Sequence, residues 1–538
     1  MTRSVGRGRL DADAARAEAG LAAHAGHLSG PFRDALGEAA DTVGRRLRAA
    51  LVREDIGDAR ARNAGLGRRH GFDRVEFGAA GVGDPADLLA GLDAPGLAAE
   101  LRDAVVNLAV ALARGPSRAG PDQVGPDEAA ITAEQIAVAG HNLHPCGRTR
   151  LGWDTADVLA HDVESGHTRV GFVAVRDDGH LGDDVGLLLR DWYPRLPAPP
   201  PGFRLQPVHA WQRDAVLSRR YRDLLDDGAL RLLDAELDAV PTGAVRTVLL
   251  PPDAAGRRHY LKLSLDILIT STRRSISVAS TRNGPVVSRL VRRLIDADPD
   301  GHRLLPLAET AGAAVPAGSG RDMSVIVREA LPALRPGETV VPGGALPALA
   351  GRLAAVTGAG RDGARAWLDA YARLLLPPLL RLTRCGVALE AHLQNCLPTF
   401  VDGRPHRMIV RDFAGLRLHA PRLAAAGHRL DLWPGSVIGT ADVGTLRAKI
   451  GYTALQAHLG EVIIALGRAH GLDEDTAWGT VRAVVDDTYA PLLADPDAAA
   501  DHAALTAPRA PHKALVRMRL SGGGDLYVPV RNPLHGRA

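Results

Sequence analysis

Cysteine is rare in this 538-residue chain: Cys146, Cys385 and Cys396 are the only three, and they lie far apart. An odd, scattered set excludes a disulfide framework, has no zinc-site spacing and fits a reducing cytoplasm. No run of 18 apolar residues occurs, which argues against a membrane span. Asp11, Asp13 and Arg16 fall where a secretory signal would carry its apolar core, so no export signal is expected. Excess charge is also missing. With 65 basic against 62 acidic residues the net charge is +3, a balance that argues against a surface built to coat nucleic acid. Neither Gly-x-x-x-x-Gly-Lys-Ser/Thr nor a Gly-x-Gly-x-x-Gly entering a helix occurs, so the usual nucleotide folds are not supported, and there is no internal repeat. The abundance of alanine, arginine, glycine and aspartate reflects a GC-rich genome and carries no chemistry.

What is present is a chain that is 46% hydrophobic and long enough for two to four lobes with a sizeable core. Residues 1 to about 135 show helical spacing, as at Leu101, Val105, Leu108 and Leu112, with a loop at Gly115 to Pro126. A proline-rich stretch at Pro197 to Pro201 marks one lobe boundary and a Pro/Gly-rich tract at Leu331 to Pro347 another. Tyr260 to Thr270 alternates regularly, with Leu261, Leu263, Leu265, Ile267 and Ile269 on one face and Lys262, Ser264, Asp266 and Thr270 on the other. It reads either as a solvated edge strand or as a carrier of a phosphate-binding lysine. If Lys262 and Thr270 touch one nucleotide, the strand must bend. Asn283-Gly284-Pro285 reads as a turn before a helix at Val286 to Ile295, and Val325 to Glu329 as a strand. A helical stripe from Trp367 to Leu382, interrupted at Pro377-Pro378, ends near Gly386. Helices at Val462 to Leu466 and Ala477 to Leu493 follow, then a basic strand or helix from Lys513 to Leu520.

That stripe delivers the stretch that matters most. Asp402-Gly403, between the apolar runs Cys396 to Val401 and Met408 to Val410, is a strong hairpin signal. A turn centred on Gly403 and Arg404 sets Asn395 opposite Asp412. Upstream, Glu390, His392 and Gln394 share one face of an extended strand. Carboxylate and amide oxygens converging this way suit Mg²⁺, which uses few protein ligands and leaves room for phosphates; the alternative is a polar sheet edge. A second cluster, Gly140-His141-Asn142-Leu143-His144-Pro145-Cys146-Gly147-Arg148-Thr149-Arg150, offers four donors suited to a polycarboxylate or phosphate, or paired histidines for a metal. Together with Lys262 and the arginines Arg273 and Arg274, this is the inventory of an ATP-dependent enzyme acting on a carboxylate.

Taken in order, six stretches resemble the NRPS-independent siderophore synthetases, the IucA/IucC family. They are the His/Arg cluster at 140 to 152, His-x-Trp-Gln at 209 to 212, Lys-Leu-Ser-Leu with Ile-Thr-Ser and Arg at 262 to 274, Glu-Ala-His-x-Gln-Asn at 390 to 395, Arg-Asp-x-x-Gly at 411 to 415 and Lys-Ala-Leu-x-Arg-Met at 513 to 518. The resemblance implies an α+β, multi-lobed cupped hand with a distantly kinase-like palm. Its lobes would be a helical thumb over 1–195, mixed fingers over 196–335 and a palm over 336–538. It implies adenylation of citrate, a citrate derivative or another dicarboxylic acid by ATP, then amide formation with a polyamine, amino-alcohol or hydroxylamine-type partner. The enzyme would be a cytoplasmic homodimer without nucleic-acid or membrane partners.

Carried over by residue, the resemblance makes Arg274 and His392 catalytic, stabilising charge on the α-phosphate. Lys262, Ser264, Thr270, Arg246, Thr247, Gln394, Asn395, Asp412, His141 and Arg148 would bind ATP, and Glu390, Asp412 and Asn395 would hold Mg²⁺. His144, Arg150, Lys513 and Arg517 would bind the acid. The sequence departs from the pattern at Asn142, Arg148, Ala210 and Ala244, the last where a nucleotide-contacting serine is expected. Two competing expectations are a small-molecule phosphotransferase, for which ADP would be the product, and a degenerate homologue that only binds nucleotide or siderophore.

Overall fold

The computed structural model describes residues 3–116, 125–270 and 272–536. Most of the loop expected at Gly115 to Pro126, and Ser271 of the Ile-Thr-Ser motif, lie outside the described residues. Long helices Arg3–His24, Ser29–Glu54 and Pro95–Arg114 open the chain. Their apolar stripes bury Leu21, Phe32, Leu47, Leu101 and Val105 in one cluster, as the helical spacing of the first 135 residues requires. The same cluster takes in Leu265, Ile267 and Ile269 from far along the chain.

An eight-stranded antiparallel sheet follows, in the order Leu181–Gly182, Glu309–Ala314, Val325–Glu329, His259–Leu263, Thr247–Leu249, Leu230–Pro241, Thr168–Arg176 and Phe203–His209. His259–Leu263 is therefore an interior strand, not a solvated edge, and Lys262 is 2% exposed. The single strand expected over Tyr260 to Thr270 breaks at Ser264. Its second part, Leu265–Ile269, leaves the large sheet and pairs with Thr272–Arg274. The Ser264 hydroxyl makes the joint by accepting the backbone N–H groups of Ile276 (3.2 Å) and Ser324 (3.3 Å). The break is the bend that brings both ends of this stretch toward one place.

Two proline readings are corrected. Asn283-Gly284-Pro285 is no turn but lies inside the helix Val278–Asp296, which Ser277 caps by accepting from the Ser280 N–H. Pro377 and Pro378 do not interrupt the helix Gly360–Arg384. In both, burial outweighs the roughly 3 kcal/mol that a proline costs a helix interior: Val287, Leu290 and Val291 in one, and Leu374, Leu375, Leu376 and Leu379 in the other, are at most 1% exposed. The tract Leu331 to Pro347 is also less irregular than expected, since it contains the strand Glu338–Val340.

The hairpin is present as Cys396–Val401 and Arg404–Val410, with Val401 opposite Arg404. Both turn residues have positive φ, Asp402 at 49° and Gly403 at 72°, as a two-residue hairpin turn needs. The turn is thus centred on Asp402 and Gly403, one residue earlier than expected. That slip, partly offset by a register shift between Pro398 and Phe400, sets Asn395 against Arg411, whose N–H donates to the Asn395 carbonyl at 3.0 Å. Upstream, Leu393–Asn395 is a 3-10 turn and not a strand, so Glu390, His392 and Gln394 do not share a pleated face. The strand Leu304–Pro306 pairs parallel to Arg404–Val410 on the other side. Among the described residues no helix is long and apolar enough to cross a membrane.

Candidate active site

The broken strand and the hairpin meet at an ion pair: Lys262 Nζ lies 2.7 Å from Asp412 Oδ1 and 3.9 Å from Glu309 Oε1. Asp412 is held in an unusual backbone conformation, φ 66° and ψ 90°, while its carboxylate accepts the Ala414 N–H at 3.3 Å. Strain of this kind in a non-glycine residue persists where surrounding structure imposes it. Burial alone would raise the Asp412 carboxyl, but the charges of Lys262, Arg246 and Arg328 outweigh it and hold the group well below the carboxylate range. Glu309, fully enclosed, is pushed up by burial.

Arg274, at the end of Thr272–Arg274, donates from Nη2 to the Ile269 carbonyl and the Thr270 hydroxyl, both at 3.1 Å. Its Nε is buried without a partner. Burial, with Arg246 and Arg150 nearby, lowers it to about 9, so it stays charged at neutral pH. Thr270, at φ 59°, is another strained residue at this corner. Arg246 donates to the carbonyls of Arg274 (2.9 Å) and Ser275 (3.0 Å) and so fixes the approach of that strand. Thr247, buried, stands opposite Lys262 in the sheet.

On the other side, Glu390 Oε1 meets Lys449 Nζ at 2.9 Å, and Glu390 Oε2 lies 3.9 Å from His392 Nε2. Burial would raise Glu390, but Lys449 and His392 outweigh it and the carboxyl is lowered. Gly415 explains the last residue of Arg-Asp-x-x-Gly, because a Cβ there would overlap the Glu390 carboxylate. Gly415→Ala is expected to fold yet displace Glu390. Turnover should fall at least tenfold with a melting temperature within a few degrees of the parent, checked by initial rates and calorimetry. Asn395 donates from Nδ2 to the Glu390 carbonyl at 3.0 Å, which makes its Oδ1 the acceptor side. Gln394 is exposed.

The histidine loop faces this pair, with the rings of His141 and His392 5.9 Å apart. Arg46 anchors it by donating to the carbonyls of Ala139 and His141, at 2.6 and 2.9 Å. Asn142 donates to the Ala457 carbonyl at 3.1 Å, a bond that a proline at this position could not make. His141 Nδ1 accepts the Leu143 N–H (3.2 Å) and His144 Nδ1 accepts the Cys146 N–H (3.0 Å). In the neutral ring each proton therefore sits on Nε2, and the His144 Nε2 is buried without a partner. Burial pushes His141 well down and His144 to about 3.

Arg148 and Arg150 do not present free guanidinium groups, contrary to the reading of four open donors. Arg148 pairs with Glu164 at 2.9 Å, and Arg150 grips Asp162 at 2.9 and 3.1 Å. Lys513 pairs with Asp525 at 2.8 Å. Arg517 Nη2 donates to the Glu54 carbonyl at 2.6 Å, at the end of the second helix.

Glu309 and Lys449 escaped the sequence reading, although a signal for Lys449 was available. Only three of the 65 basic residues are lysine, Lys262, Lys449 and Lys513. Two form the ion pairs of this site, and the charge of the third acts on Glu390. Lysine retained against such a bias toward arginine marks places where a compact ammonium fits and a planar guanidinium does not.

The enclosed histidines also set a pH response. Burial lowers His141, His144, His209, His458 and His512, so each takes up its proton more readily in the unfolded chain. Stability is therefore full above the ordinary histidine pKa of about 6.5 and falls as pH drops below it, by up to ~1.4 kcal/mol per pH unit for each histidine. Urea unfolding at pH 7.5 and 5.5 should show a lower midpoint at 5.5.

Comparison with known proteins places this geometry. Residues 129–348 match the model of the IucA / IucC family, and residues 365–528 match a model described as ferric iron reductase FhuF-like transporter. The chain is 25% identical to the D-ornithine–citrate ligase of Staphylococcus aureus over 75% of this chain and 70% of that protein. Over the first three curated relatives, the matched part is 64 to 72% of their length. The structure of the petrobactin biosynthesis protein AsbB from Bacillus anthracis superposes with a TM-score of 0.75 at 18% identity, covering 94% of this chain and 98% of that one. ATP-bound aerobactin synthetase IucA from Klebsiella pneumoniae gives 0.65 at 20% identity, covering 82% of each.

Proposed function

The chain belongs to the IucA / IucC family of siderophore synthetases, and we propose that it is an ATP-dependent ligase that adenylates a carboxylic acid and condenses it with an amine. The observation that carries this reading is the surplus of positive charge around the Lys262–Asp412 pair. Lys262, Arg246, Arg274, Arg328 and Lys449 face Asp412, Glu309 and Glu390, and Lys513 adds a charge that Asp525 already balances. Arg274 Nε, His144 Nε2 and His392 Nδ1 are buried there without partners. Five cations against three carboxylates, with unused donors, fit a triphosphate beside a carboxylate.

In the first step a carboxylate oxygen of the acid attacks the α-phosphorus of ATP. The bond to the β-bridging oxygen breaks and pyrophosphate leaves with the electron pair. Lys262 and Arg246 bind the phosphates, with Thr247 and Thr270 at their edge. Arg274 and His392 donate to the α-phosphate oxygens as charge grows on them. The Nε2–H groups of His141 and His144, with Lys513, orient the acid. In the second step the amine nitrogen attacks the acyl carbon, AMP departs, and the amine gives up a proton. Arg148, Arg150 and Arg517 act by holding the histidine loop and the C-terminal segment in place.

Mg²⁺ fits this donor set, although among the described residues no three His, Cys, Asp or Glu converge as a cage. Ionised Asp412 and the Asn395 amide oxygen would hold it with phosphate oxygens, Glu390 standing behind, and it would supply charge neutralisation. Thumb, fingers and palm lobes meeting near residues 195 and 335, a kinase-like palm and a cytoplasmic homodimer belong to the same reading. The acid is citrate, a citrate derivative or another dicarboxylic acid, in line with the citrate ligase among the relatives.

The test is product analysis with ATP, Mg²⁺, a panel of carboxylic acids and hydroxylamine as acceptor. AMP and pyrophosphate formed with one acid are expected. ADP would establish phosphotransfer instead, and absence of turnover with every acid would favour a protein that only binds.

A further inference from the structure

A second concave region lies away from this site, between the hairpin Arg68–Arg69 and Val75–Glu76, the start of the helix Glu474–Tyr489 and the strand Tyr527–Arg531. Its volume is about 790 Å³, within the range of small-molecule sites, roughly 300 to 1,000 Å³. Arg68, Arg69, Arg361 and Arg531 line it, and a smaller recess of about 400 Å³ next to it shares Arg69 and Arg531 and adds Arg60 and Arg509.

The carboxylates nearby are largely committed. Glu474 accepts from His70 Nδ1 and from the Gly71 N–H, and Asp473 caps its helix by accepting the Thr476 N–H at 2.9 Å. Asp73 accepts the Arg531 N–H at 2.9 Å, and the Arg509 and Arg531 guanidinium groups stand off it at 3.9 and 3.8 Å. Asp475 also lines the cleft. Arg68, Arg69 and Arg361, by contrast, make no ion pair within 4.0 Å among the described residues. On the cleft floor, Trp478 is 2% exposed and its Nε1–H is buried without an acceptor. Unpaired guanidinium groups and an unused buried donor on one concave surface form a receptor for oxyanions.

We infer that this cleft is a second binding site, for a small anion carrying two or more separated oxyanion groups, bridged between Arg68–Arg69 and Arg361–Arg531. Polycarboxylates and pyrophosphate share that chemistry. Citrate and inorganic pyrophosphate are therefore the probes, added separately to the full chain in the absence of ATP. Titration calorimetry should give, for at least one probe, a dissociation constant that rises tenfold or more in Arg68→Ala/Arg69→Ala and in Arg531→Ala, and that also rises with salt. Hydrogen exchange at residues 70–72 and 472–475 should slow several-fold in the parent protein and not in the variants. A response to citrate alone assigns a polycarboxylate, and a response to pyrophosphate alone assigns a phosphate. All three substituted arginines are surface residues, so the variants should melt like the parent and retain the parent's rate of AMP formation. The inference is overturned if both probes bind parent and variants equally, or if neither protects these segments. The readout is binding without turnover, so failure of the ligase reading leaves it standing, and its own failure leaves the ligase reading intact.

Discussion

Arg274→Ala is expected to slow acid-dependent pyrophosphate release by about 10²- to 10³-fold, the loss found when one fixed donor to a developing oxyanion is removed. The guanidinium is enclosed, bound only to the Ile269 carbonyl and the Thr270 hydroxyl, and has an unused Nε. Removing it therefore breaks no ion pair within the fold, and the loss should fall on kcat, with little change in unfolding midpoint. His392→Ala should act in the same direction, since its Nδ1 is likewise without a partner. Stopped-flow detection of pyrophosphate, alongside urea unfolding of each variant, separates the two effects. Release at the parent rate would remove both residues from the first step.

Lys449→Met should be strongly destabilising. Lys449 is 3% exposed and bound to Glu390 at 2.9 Å, so truncation leaves a carboxylate in an enclosed place without its cation. Breaking such a pair costs about 3 kcal/mol or more, whereas replacing both partners costs far less. The double variant Lys449→Met/Glu390→Gln should accordingly recover most of the lost stability while staying inactive. Recovery of stability without activity would show that the pair holds a catalytic group in position. A Lys449→Met protein as stable and active as the parent would show that Glu390 does not depend on it.

How much of this was legible in the sequence differs from one part to the next. The hairpin turn could be read because Asp-Gly between apolar runs is a local signal, and both residues do take positive φ. Its register could not be read to the residue: the earlier turn and the irregularity between Pro398 and Phe400 together put Arg411 where Asp412 was expected. Lys262 stood out on an alternating strand. That the strand is interior, and broken at Ser264, depends in part on neighbours some sixty residues away, the strand Val325–Glu329 and Ser324. Pro285 and Pro377-Pro378 were misread because local cost was weighed without the burial that offsets it. Arg148 and Arg150 looked like open anion ligands because Asp162 and Glu164, their partners, follow only after an intervening helix at Thr155–His161. Glu309 carries no motif at all, and it enters the site only because its strand lies two places from that of Lys262 in the sheet.

The central claim is that the acid's own oxygen attacks the α-phosphorus in this site. The most direct measurement uses the acid identified by product analysis, labelled with ¹⁸O in its carboxylate, with mass spectrometry of the nucleotide product once amide has formed. The account predicts AMP carrying one ¹⁸O atom, with the same labelled product formed about 10²- to 10³-fold more slowly by Arg274→Ala. Unlabelled AMP, or ADP with the label left in the acid, would contradict it.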